Sequence, residues 1–328
     1  MRYLLIGTGN ITKTYIQAIE DIADSSIVGC ISRTGKRPEQ MQNIPAWTQI
    51  EDVNQEYDAI IITTPNGTHH KYAIKAAQLG KHVLTEKPID IHLDAIDTMI
   101  SACKKHNVKL AVAFQRRITP DNREIKKLLE TKQLGRVFSV NLQCFFWRNQ
   151  AYYDSASYRG GYAVDGGGPF IQQAIHNIDT YQWMFGMPLK VKSFLGRFLH
   201  DIEAEDHGAT ILKHEDGMIS TITASTCTSP GFPARMEVYT DKGYFITQND
   251  SIIKWNIKGI ANPTKTLFSM ADLGGNTPQL NNYDRHKLIL LDFEEAVSKD
   301  KAPFVTGESA RKSTELVLKI YGDDNLED

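Results

Sequence analysis

Short, wholly apolar runs alternate with amphipathic stretches as far as Gln115. Residues 3–6 are apolar and run into Gly7-Thr8-Gly9, after which Ile11, Tyr15, Ala18, Ile19 and Ile22 recur at helical spacing. The pattern then repeats. Residues 27–31, 57–64, 82–85 and 109–114 read as strands. A helix over 68–79 is closed by Gly80, and Leu93, Ile96, Met99, Ile100 and Cys103 form another helical stripe. Strands apolar on both faces and separated by single helices build right-handed βαβ units in a parallel sheet. The spacing predicts an α/β domain with a doubly wound parallel sheet over residues 1–118.

Beyond Arg117 the helical period gives way to two-residue alternation. A short helix over 121–130 precedes Phe138, Val140, Leu142, Cys144 and Phe146, which alternate with other positions within 137–147. Similar segments follow at 191–199, 208–213, 218–226, 235–240 and 244–247. His214-Glu215-Asp216-Gly217 and Thr240-Asp241-Lys242-Gly243 have the chemistry of hairpin turns. Residues 119–328 are therefore predicted as an α+β domain with a large, mostly antiparallel sheet. Such a sheet, covered by helices on one face, leaves the other to be buried, so a homodimer or homotetramer is expected. Asp165-Gly166-Gly167-Gly168-Pro169 opens a predicted helix that runs to Phe185 and stops at Gly186.

Composition narrows the function classes. Hydrophobic residues make up 41% of the 328-residue chain and charged residues 23%, which suits an ordinary globular protein of two domains. A formal net charge of -2 gives no field that selects nucleic acid or an anionic membrane. No apolar run approaches bilayer-spanning length, and the chain enters a strand at once without the pattern of a cleaved leader. Cys30, Cys103, Cys144 and Cys227 form no C-x-x-C pair, which argues against structural zinc or a disulfide scaffold and suits a reducing compartment. A soluble, cytoplasmic protein acting on a small molecule, without a metal, nucleic acid or membrane partner, is expected. Asp201, Glu203, Glu205, Asp206 and His207 crowd together but lack a tight ligand spacing, and they read as a solvated loop.

The candidate chemistry sits at strand ends. Gly7, Thr8, Gly9, Asn10 and Ile11 form a strand-to-helix turn of the dinucleotide-binding kind, although Thr12 stands where a third Gly or Ala is usual; a plain glycine turn reads the same way. The second strand ends in Ser32-Arg33-Thr34, with no acid to hold a ribose 2′-OH, so NADP is slightly favoured over NAD. Thr64, Pro65, Asn66 and His69 follow the third long strand on the ligand-binding side as candidate cofactor contacts, and Asn66 and His69 read equally as helix-cap or first-turn residues. Glu86-Lys87-Pro88 follows the next, where the proline restricts the lysine backbone and presents its amine to the same crevice, with Glu86 and Lys87 as candidate cofactor contacts. Gln172 and His176 are i and i+4 on one predicted helix face, with Asp179 at i+3 from the histidine. A histidine on such a face is a candidate acid/base or a brace bonded to Asp179 or to a backbone carbonyl. Tyr158 and Arg159, with Trp147, Tyr152 and Tyr153, lie beside the glycine run and are candidate pocket residues by position.

Taken in order, GTGNIT, TTPNGTHH, EKPI and DGGGPFIQQAIHNID resemble the Gfo/Idh/MocA oxidoreductases over nearly the whole chain. The resemblance implies a Rossmann domain binding NAD or NADP, a substrate domain, and hydride transfer to or from a sugar, polyol or related hydroxy/keto compound. It implies that Lys87 contacts both substrate hydroxyl and nicotinamide, and that His176 is the acid/base. Many members carry an aspartate one helical turn before that histidine; here the position is Gln172. Relatives acting on non-sugar diols or ketones, and a cofactor-binding regulator without turnover, define the alternatives.

Overall fold

The computed structural model describes residues 1–264 and 283–324. The chain forms two compact units, Met1–Gln115 with Asn281–Arg311, and Arg116–Leu280 with Lys312–Asp328. The expected single cut after residue 118 thus becomes a double crossing, because a late segment folds back onto the first unit.

That unit holds six strands, β1 (Arg2–Ile6), β2 (Ser26–Ile31), β3 (Ala46–Trp47), β4 (Ala59–Ile62), β5 (His82–Thr85) and β6 (Leu110–Val112). All pair in parallel, in the order β3-β2-β1-β4-β5-β6, the strand order of a dinucleotide-binding Rossmann sheet. Burial on both faces explains the unbroken apolar runs: every residue of β4, and β1 from Tyr3 onward, is fully buried. Helices α1 (Asn10–Glu20), α2 (His69–Gln78) and α3 (Leu93–Lys105) make the crossovers.

The returning segment brings α7 (Tyr283–Ser298) against α1. Glu294 accepts the Tyr3 hydroxyl at 2.9 Å and the Ser25 hydroxyl at 2.6 Å. Thr306 bridges Ala111 beside β6, and helix α8 (Gly307–Asp324) begins in this unit. Apolar period alone marks α7 as a helix without saying which surface it covers.

The second unit contains α4 (Pro120–Glu130), β7 (Val137–Phe145), α5 (Gln150–Asp154), α6 (Ile175–Phe185) and strands β8 (Lys190–Gly196), β9 (His207–Lys213), β10 (Ile219–Ser225), β11 (Arg235–Thr240), β12 (Gly243–Gln248) and β13 (Ser251–Ile257). The seven strands run β13-β12-β11-β7-β10-β9-β8, with only the β7–β10 pair parallel. Both expected hairpins form. Gly217 and Gly243 supply the positive φ that each turn requires, +87° and +135°.

One element starts later than its sequence suggests. A single helical turn after Gly168 ends where the Ala174 N–H reaches back to Pro169 O, a wider closure than an α-helix makes, and regular α6 begins only at Ile175. Gln172 and His176 therefore do not share an unbroken helix face. No helix among the described residues is long and apolar enough to cross a membrane.

Candidate active site

The glycine turn after β1 has the shape that a dinucleotide needs. Gly7 has φ +106°, and a Cβ there would lie 2.8 Å from the Thr63 carbonyl oxygen, so only glycine fits between β1 and β4. At Gly9 a Cβ would meet nothing within 4 Å, leaving open space in front of the α1 N-terminus. Gly9 caps that helix without a side-chain hydrogen bond, and the first turn carries no acid. Unsatisfied N–H groups and the positive dipole end suit a pyrophosphate. Thr12, the irregular third position, is buried and its hydroxyl lies 2.8 Å from Thr63 Oγ1 and 3.3 Å from Gly7 O. A hydroxyl bridge replaces the close approach that glycine would give.

At the end of β2, Ser32 closes a turn through its hydroxyl to Lys36 O at 2.7 Å, and Arg33 is exposed beside it. After β4, Thr64, Pro65 and Asn66 are half-buried in a short turn that leads into α2. His69, expected as a cofactor contact or as a helix-cap or first-turn residue, is the first residue of α2. It is fully buried, with Nε2 2.9 Å from Thr64 O and Nδ1 3.0 Å from Pro88 O. Both ring nitrogens brace the β4 end to the β5 end, so no ring atom faces a ligand.

Glu86 also differs from its expected cofactor role. The carboxylate turns inward, accepts the Tyr15 hydroxyl at 2.8 Å and the Lys87 N–H at 3.2 Å, and lies 3.6 Å from His286 Nε2. Burial pushes its pKa up, but His286, Lys87 and Tyr15 together outweigh this and hold the carboxyl below its ordinary range. Burial and the adjacent carboxylate push the Tyr15 phenol well above its usual value, so it stays a donor. Lys87 itself is half-buried at the strand end. His286 went unnoticed in the sequence, and Tyr15 read only as core, because nothing in local spacing joins α1, β5 and α7.

In the second unit His176 is half-buried in the first turn of α6. Asp179 is not its partner. Fully buried, that carboxylate is held by Arg117 (Nε to Oδ2, 2.8 Å) and by the Ser313 hydroxyl (2.7 Å). Burial raises the Asp179 pKa, while the guanidinium and hydroxyl oppose the rise. Gln172 donates its amide to Asp165 O, which fixes the side chain in the acid's usual place.

The acidic segment read as a solvated loop is partly interior, since Glu205 and Asp206 are 3% and 0% exposed. Glu205 accepts the N–H of Gly168 at 3.0 Å and the Tyr321 hydroxyl at 2.9 Å, and burial pushes it up to about 7. Glu205 explains the last glycine of the run, because a Cβ on Gly168 would lie 1.8 Å from the Glu205 backbone carbonyl oxygen and 2.8 Å from its carboxylate carbon. Asp206 accepts three backbone N–H groups, from Phe198, Leu199 and His200. His200 Nδ1 and Cys227 Sγ lie close enough to Asp206 to suggest a metal. Its carboxylate is already occupied in holding the loop. Tyr153, proposed for the pocket, is buried with its hydroxyl on Thr226 at 2.7 Å, whereas Tyr152, Tyr158 and Arg159 remain half-buried.

Comparison with known proteins agrees with this geometry. The family model described as an oxidoreductase family with an NAD-binding Rossmann fold matches residues 1–114, and that of the GFO/IDH/MocA C-terminal domain matches residues 122–246. The chain is 26% identical to the uncharacterized oxidoreductase YrbE of Bacillus subtilis, covering 92% of this chain and 88% of that protein. It is 27% identical to a myo-inositol 2-dehydrogenase of Thermotoga maritima over 76% of this chain and 75% of the other. The WlbA dehydrogenase of Bordetella pertussis, solved with NADH and UDP-GlcNAcA, superposes with a TM-score of 0.86 at 26% identity, covering 99% and 96% of the two chains.

Proposed function

Since the chain belongs to the Gfo/Idh/MocA oxidoreductases, we propose that it transfers a hydride between a nicotinamide cofactor and a hydroxyl or carbonyl carbon of a sugar or polyol. Relatives named as inositol dehydrogenases support that substrate class. The open N-terminus of α1 would hold the pyrophosphate, with Gly7, Thr8, Gly9, Asn10 and Ile11 as the cradle and Thr64, Pro65 and Asn66 beside it. The bound nicotinamide supplies the hydride acceptor or donor.

The observation that carries the reading is the division of labour at the end of β5. Glu86 turns inward to Tyr15 and His286, which leaves Lys87 as the polar side chain at the ligand-binding end of the strand. In oxidation, the Lys87 ammonium stabilises the alkoxide that develops as the hydroxyl proton leaves, the electrostatic role that contributes most in such sites. His176 removes that proton, and returns it in reduction. Gln172 cannot exchange a proton and orients the loop instead. We further assign NADP as the preferred cofactor, since Arg33 is exposed at the end of β2 and no acid opposes a 2′-phosphate.

Phe194, Ile211 and Ile219 lie exposed on one face of the second sheet, which supports a homodimer or homotetramer. The four cysteines are free thiols, in keeping with a cytoplasmic setting. Nicotinamide absorbance followed over a panel of inositols, sugars and sugar acids tests the function. Cofactor-dependent turnover of at least one member is expected; tight cofactor binding with no turnover of any member would instead support a sensor in which Gln172 has replaced the acid.

A further inference from the structure

Two guanidinium groups in the second unit lie against one tyrosine ring with no acid to neutralise them. Arg148, just beyond β7, and Arg159, in the loop after α5, place their guanidinium carbons 5.3 and 4.4 Å from the centre of the Tyr152 ring. Both side chains are half-buried, and the Nε of each is buried without a hydrogen-bond partner. Arg148 Nη1 donates to the carbonyl of its neighbour Trp147 at 2.7 Å. Among the described residues neither arginine forms an ion pair. Acids close by in the chain face elsewhere: Asp154 accepts the Gln150 amide, Asp165 the N–H of Gly160, and Glu203 the N–H of Tyr162. Gln173 completes the group. Its Nε2 reaches the Tyr152 hydroxyl at 3.3 Å, while its Oε1 is buried without a partner.

Buried donors without acceptors are costly, and two like charges on one ring add to that cost. A guanidinium stacked on an aromatic face keeps its N–H edge clear, the geometry that grips a carboxylate or phosphate in bidentate fashion. We propose that Arg148, Tyr152 and Arg159 form an anion subsite, and that the hydroxylated substrate presented to His176 carries a carboxylate or phosphate group. Gln173, in the turn that leads into α6, offers its free Oε1 to a hydroxyl of the same ligand. The inference rests on the reading of His176 as the acid/base, and it narrows the substrate class from neutral polyols to acidic ones.

Calorimetric titration of the full chain, saturated with NADP+ or NAD+, tests it with D-glucuronate, glucose 6-phosphate, D-glucose and myo-inositol. At least one acid is expected to bind on the order of 10-fold more tightly than D-glucose, as charge-assisted hydrogen bonds allow. Preference for glucuronate identifies a carboxylate ligand, and preference for glucose 6-phosphate a phosphate. The Arg148→Gln/Arg159→Gln double variant should lose the advantage; if it does not fold by circular dichroism, Arg159→Gln alone carries the test. Equal binding of acids and neutral polyols, binding of neither acid, or an advantage that survives the arginine change overturns the subsite. Lys87→Ala separates the two readings: it should keep the acid preference while losing turnover. A Lys87→Ala protein that turns over normally would defeat the active-site assignment and leave the binding result to decide the subsite.

Discussion

His286 Nε2 lies 3.6 Å from the buried carboxylate of Glu86, so a histidine from α7 helps fix the strand end that carries Lys87. The Tyr15 ring, edge-on to His286 at 5.2 Å, donates its hydroxyl to the same carboxylate. Tyr15→Phe should cost about 1–3 kcal/mol, the penalty for leaving a buried acceptor short of a donor, and His286→Leu, which removes a ring nitrogen 3.6 Å from that carboxylate, should cost less. Because the Glu86 carboxyl is held below its ordinary range, this stabilisation is present above that range and is lost as pH falls below it, through the lowered folded value. Denaturant unfolding of both variants at neutral and acidic pH checks the size and the sign. A loss equally large in acid would contradict the assignment.

The buried Arg117–Asp179 pair predicts a larger effect. Asp179→Asn leaves a guanidinium without its counter-charge in the interior, and breaking such a pair costs about 3–5 kcal/mol. Replacing both partners by apolar residues of similar size should be milder than Asp179→Asn alone. Unfolding midpoints of the single and double variants decide this, and a double variant as unstable as the single would count against it.

Glu205 predicts a pH dependence of opposite sign. Burial raises its carboxyl from 4.5 to about 7, so between those values the folded chain binds more protons than the unfolded one. Stability then falls as pH rises across the window, by at most about 3 kcal/mol. Glu205→Gln should flatten that slope. Chemical denaturation at about pH 5 and about pH 8 tests it, and an unchanged slope in the variant would refute the role.

The parallel sheet, the hairpins and the glycine turn were legible because period and turn chemistry act over a few residues. Contacts between distant segments were not. His286 reaches Glu86 only because α7 folds back on α1, and Glu205 becomes interior only because the glycine run closes over it. The same limit displaced the start of α6, where apolar spacing runs smoothly across a backbone break at Ala174. His69 illustrates it most simply. A polar residue at a strand end looked open to a ligand, and two carbonyls had already claimed its ring.

Arg33 should decide the cofactor. Arg33→Ala is predicted to lower kcat/KM for NADP about 10-fold while changing that for NAD little, the difference expected on losing a charge-assisted contact to a 2′-phosphate. Steady-state kinetics with both cofactors measures it. A wild-type protein that prefers NAD, or an equal loss with both, would remove the preference assigned to this turn.

Lys87 carries the central claim. Lys87→Ala should reduce kcat by about 100-fold or more, the loss typical of removing one group that stabilises a developing oxyanion. Cofactor affinity, set mainly at the α1 N-terminus, should stay within about 2-fold of wild type. The measurement is turnover and cofactor titration on the same purified variant. Lost turnover with retained cofactor binding is the predicted result, and a variant that turns over at the wild-type rate would contradict the account.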